Sequence, residues 1–66
     1  MFEMIVVGER PLEGPKAVEI MRSEAREMPV GTLTNMASLL NRGWEPCGMT
    51  ANMGQIGYLL KRELKG

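Results

Sequence analysis

The stretch Leu33 to Glu45, Leu-Thr-Asn-Met-Ala-Ser-Leu-Leu-Asn-Arg-Gly-Trp-Glu, constrains this chain more than any other. Leu33, Met36, Ala37 and Leu40 recur at i, i+3, i+4 and i+7, the spacing of one helical face. Thr32 or Thr34 is placed to cap the start, its hydroxyl accepting from an N–H of the first turn that has no partner inside the helix. Leu39 lies off the stripe, and the helix end accounts for it. With Gly43 as the left-handed residue past the C-cap, Leu39 stands third from the end and Trp44 follows the glycine. Those two positions make the hydrophobic contact of a Schellman stop. The glycine turns the chain and the indole clamps the turn.

A chain of 66 residues makes one domain, residues 1–66, and buries only about 60% of the surface its unfolded form exposes. Disulfides, a structural metal or self-association usually supplement so small a core. Cys47 is the sole cysteine and histidine is absent, so neither an intramolecular disulfide nor a closed zinc site is expected. Self-association remains, and a homodimer is the expected state. No apolar run approaches the roughly 20 residues of a membrane span. Met1 to Val7 lacks the basic leader of a signal peptide, and with a lone thiol this points to the cytoplasm and to no membrane partner.

Phe2 to Val7 is rich in β-branched residues and stops at Gly8, so it reads as a first strand. Its run Met4-Ile5-Val6-Val7 suits a central or interface position rather than an exposed edge. Glu9 to Gly14 reads as a loop, and Pro15 suits a first helical position. Ala17, Val18, Met21, Ala25 and Met28 approximate one helical face, so a helix is preferred over residues 16–28. The rival makes Ala17 to Arg22 a strand returning along the first, with Val18 and Ile20 on one face; a mobile segment is a third option for residues 9–29. Trp44 to Thr50 continues as a strand that Pro46 confines to an edge or to the residues before pairing begins. Ala51 to Gln55 is a turn and Ile56 to Arg62 the last strand. The expected architecture is α+β: a small antiparallel sheet of about three strands with one or two helices on one face.

Leu40-Asn41-Arg42-Gly43-Trp44-Glu45-Pro46, followed by a hairpin closing in Tyr58-Leu59-Leu60-Lys61-Arg62, resembles small bacterial and phage domains of unknown function. Those domains have a leading strand, here Phe2 to Val7, a helix closing in Leu-x-x-x-Gly-Trp-Glu, and a hairpin ending in Lys-Arg. The resemblance covers residues 2–7 and 33–62, about half the chain, and leaves 9–29 as an elaboration. It implies a fold and self-association through the sheet, and transfers no catalytic residue.

The side chains offer little for catalysis. With no histidine and no aspartate, acid–base chemistry would fall to glutamates such as Glu24 and Glu27, which suit a solvated surface better. Cys47 has no histidine to generate a thiolate and reads as a small apolar strand residue. No enzyme, cofactor or resident metal is therefore expected. The partner-binding candidates are Met49 and Met53, flanking a small-residue turn, because methionine adapts to varied surfaces. Trp44 and Tyr58 join them as possible stacking platforms beside Arg42 and Arg62. The favoured function is a non-enzymatic module that binds and regulates another macromolecule, such as a phage-type inhibitor of a host protein. The alternative is a small-ligand, nucleotide or nucleic-acid binder. The formal net charge of zero weighs against nucleic acid as the main partner.

Overall fold

The computed structural model describes residues 1–52 and 55–64. They form one five-stranded antiparallel sheet: β1 (Phe2–Glu9), β2 (Ala17–Ser23), β3 (Leu33–Asn35), β4 (Glu45–Asn52) and β5 (Gln55–Glu63), in the order β3-β2-β1-β5-β4. Among the described residues the one α-helix, α1 (Met36–Asn41), has six residues, and a 3-10 turn spans Pro11–Glu13. This corrects the three-strand expectation with one or two helices on a face. The chain is mostly sheet.

The correction begins at residues 16–28, where the preferred helix is absent and the rival strand is present. Val18 and Ile20 are both sealed in the core while Met21 and Arg22 are exposed. Only a period of two puts residues 18 and 20 on one side. The proline signal sits at Pro11, where the 3-10 turn begins, rather than at Pro15. The central strand β1 pairs β2 through Val6↔Arg22 and Val7↔Ile20, so Met21 is the extra residue of a bulge. Beyond it the backbone doubles back: Gly31 donates to the Ile20 carbonyl at 2.8 Å, and Ile20 to the Thr32 carbonyl at 2.9 Å.

A second correction concerns the start of α1. Leu33 and Thr34, read as the first helical turn, are strand residues paired with Glu19 and Val18. The cap is Asn35 rather than Thr32 or Thr34: its backbone is extended, and its side chain accepts from the Ser38 N–H at 2.8 Å. Leu33 and Leu40 are consequently exposed, and Leu39 is the helix residue buried in the core.

The C-terminal end matches its expectation. Gly43 has φ 90°, its N–H donates to the Leu40 carbonyl, and the Trp44 N–H donates to the Leu39 carbonyl, each at 3.1 Å. These are the two bonds of a Schellman stop. It delivers Trp44 under the sheet, where Ile5, Val7, Val18, Ile20 and Leu60 are covered by Leu39, Trp44, Ala25 and Met28. The chain then enters β4, an edge strand with Pro46 near its start and a register shift between Pro46 and Gly48, both of which discourage pairing with another edge. The turn expected over 51–55 shrinks: Asn52 pairs with Gln55, and Met53 and Gly54 lie outside the described residues.

Candidate functional site

The residues singled out from the sequence do not form one site. Trp44 is a core residue at 1% exposure, which removes it as a stacking platform. Arg62 lies over its indole ring at 4.4 Å and bridges the carboxylates of Glu3 and Glu27, with Nε donating to Glu3 at 3.1 Å. The glutamates hold Arg62 more firmly protonated than a free arginine, Glu27 contributing most and Glu3 next, against opposing desolvation. An arginine so committed has little left for a phosphate.

Tyr58 is on the same sheet face as Arg62 but four residues along β5, about 13 Å at the rise of a strand. Leu60 fills the interval. The expected Trp44–Tyr58–arginine platform is therefore divided into a sealed half and an open half. Arg42 is exposed, with Nη1 3.8 Å from the Met28 sulfur. Met49 is 72% exposed opposite Tyr58. Met53, the other methionine candidate, lies outside the described residues. Cys47, expected as an apolar strand residue, is exposed on β4.

The surface with the most apolar character was not singled out in the sequence. Alternation along β1 and β5 sends Glu3, Ile5, Val7, Leu60 and Arg62 to the covered face. The opposite face receives Phe2, Met4, Val6 and Leu59, and Met21 joins them from β2. The core cluster belongs to the covered face, while on this side Lys61 lies over the Phe2 ring at 4.8 Å. Its apolar residues stay part-exposed, Phe2 at 54% and Met21 at 42%. Two shallow clefts of about 370 and 220 Å³ flank Val6 and Arg22. In the larger, Gly8 and Gly57 face each other across β1 and β5. A Cβ on Gly57 would stand 3.0 Å from the Val7 carbonyl oxygen, so the floor is held at backbone level.

A compact monomer of 7.3 kDa exposes roughly 4,200 Å² by the usual scaling. This chain exposes 4822 Å². The excess of about 600 Å² belongs to the whole chain, with exposed residues such as Met1 and Leu12 included.

On the covered face, beyond the Trp44 end, Tyr58 donates to Glu9 Oε2 at 3.3 Å. Partial desolvation, then the charge of Glu9 and the hydrogen bond to it, raise the Tyr58 phenol above its ordinary value. Among the described residues no group of three or more acidic, cysteine or histidine side chains is placed to hold a metal ion, and no helix is long and apolar enough to cross a membrane. No family model, curated protein or solved structure matches this chain.

Proposed function

We propose that this protein is a non-enzymatic interaction module that assembles as a homodimer through the open face of its sheet and binds and regulates a second macromolecule. The uncovered apolar face of Phe2, Met4, Val6, Met21 and Leu59 carries this reading. Two such faces pack at about 10 Å, side chain against side chain, as the layers of a β-sandwich do. A stable interface takes about 800 Å² from each partner. The sheet face, within molecular extents of 37 × 20 × 17 Å, is of that order.

Charge allows it as well. The chain has no net charge, so two copies do not repel at long range. Arg22 and Glu19 border the face on β2, and Lys61, Glu63 and Glu45 on β5 and β4, so each side carries both signs.

The second partner is a protein in this reading, with regulation of a host protein by a phage-type inhibitor as one form of it. Residues 45–51 of β4 are exposed, and past the Pro46 irregularity the strand offers a free edge with Met49 beside it. An extended segment of another protein can add to such an edge. Nucleic acid is not favoured, because Trp44 is sealed and Arg62 is paired.

Sedimentation across a dilution series tests the dimer. The wild type is expected as a dimer at micromolar concentration and Leu59→Glu as a folded monomer. A wild type that is monomeric throughout contradicts the proposal.

A further inference from the structure

We propose that the cleft between Tyr58 and Met36 binds a small zwitterion with an apolar body, of the chemical class of a free apolar or aromatic α-amino acid. The cleft is on the covered side of the sheet, away from the proposed dimer face, and does not depend on that reading.

The cleft measures about 400 Å³ and is lined by Glu9, Lys16, Val18, Met36 and Tyr58. Small-molecule sites occupy roughly 300–1,000 Å³, with apolar walls and a few placed polar groups. Here Val18 supplies a buried apolar floor, while Met36 and Tyr58 stand part-buried against the edge of the core. Glu9 stands opposite Val18 across β1 and β2, and Lys16 precedes β2 by one residue. The strand pairing thus brings a carboxylate and an ammonium to one apolar cavity.

Both charges are left for a ligand. Arg10, next to Glu9, pairs with Glu19 instead. Among the described residues neither Glu9 nor Lys16 has an opposite charge within ion-pairing distance, so the two do not neutralise each other. The hydroxyl of Tyr58 fixes one Glu9 oxygen, and the raised phenol stays a neutral donor in that role. The other carboxylate oxygen has no side-chain donor among the described residues.

Lys16 adds a second observation. It is the one non-glycine residue with positive φ, at 58°, among those described. Its carbonyl accepts from the Met36 N–H at 3.2 Å, which ties this conformation to the start of α1. A lysine in a conformation that glycine adopts without strain fits a position where the ammonium is needed. Each half of the site rejects a ligand with one charge only. A simple amine would meet Lys16, and a simple carboxylate would meet Glu9. A molecule with both groups and an apolar side chain satisfies the two charges and the floor.

The test is an NMR titration of the full chain with L-phenylalanine and L-leucine, alongside phenethylamine and phenylpropionate, which keep one charge each. The amino acids are expected to shift the resonances of Val18, Met36 and Tyr58, with the single-charge compounds about tenfold weaker or worse. Glu9→Gln keeps an acceptor for the Tyr58 hydroxyl but removes the charge, and should weaken binding by a similar factor. Lys16→Gly should raise the melting temperature, because glycine takes φ 58° freely, yet lower the affinity. A merely structural Lys16 would leave affinity unchanged. The proposal is overturned if saturating amino acid moves none of these resonances, if the single-charge compounds bind equally well, or if both variants keep wild-type affinity.

Discussion

The Trp44 amide donates to the Leu39 carbonyl at 3.1 Å, and the two side chains are the helix-end residues that seal the core. One local turn thereby joins the ending of α1 to the packing of the whole sheet. Gly43 makes the join possible with φ 90°. A Cβ there would meet only Arg62 methylenes, the nearer at 3.7 Å, which is ordinary contact. The cost of Gly43→Ala is therefore one of backbone conformation, about 1–2 kcal/mol. Urea melts should show a lower midpoint with an unchanged slope. An unchanged midpoint would remove the Schellman stop from the account.

Arg62 has two acidic partners of unequal weight. Glu3 is 12% exposed and Glu27 54%. Arg62→Ala should cost about 1–3 kcal/mol, from the lost stack on Trp44 and a part-buried Glu3 left unpaired. Glu27→Gln should cost at most about 0.5 kcal/mol, because an exposed pair is screened by water. Arg62→Lys keeps the charge but loses the planar stack, and should recover only part of the stability. Denaturation of the three variants checks the order. Equal losses for Arg62→Ala and Glu27→Gln would contradict it.

Tyr58 sets an alkaline limit. Its phenol is raised above the ordinary 10.0 in the fold, so between that value and the raised one the unfolded chain loses the proton while the folded chain keeps it. The unfolded state then binds fewer protons, and stability falls as pH climbs through this window. Below it the contribution is fully present. Tyr58→Phe should show a shallower alkaline decline in its urea midpoint than the wild type. Because Tyr58 is the sole tyrosine, phenolate absorbance reports this site alone.

Much of this architecture is legible in the residues. The apolar run Met4 to Val7 marks the central strand, Pro46 marks an edge, and the Leu39–Gly43–Trp44 spacing gives the stop bond for bond. Two segments mislead for a shared reason. Between 17 and 28 the apolar residues satisfy a helical period loosely and a strand period over Val18–Ile20 closely, and the neighbouring strand decides. At Leu33 and Thr34 the helical stripe runs past its true start, because pairing with β2 claims those residues first. The Glu9–Lys16 cleft follows only from the strand reading, since a helix over 16–28 removes the pairing that places Val18 opposite Glu9. The alternation of Val18 and Ile20 was the available signal. Trp44 is sealed rather than open as a stacking platform, as the stop motif that packs it on Leu39 requires.

The open sheet face carries the functional account, and isotope-filtered NOE spectra on a mixture of labelled and unlabelled chains test it most directly. Intermolecular contacts among the methyl groups of Met4, Val6, Met21 and Leu59 are the predicted result, with none from the helix residue Leu40. Intermolecular contacts confined to β4, or a complete absence of them at a concentration where the chain sediments as a dimer, would contradict it.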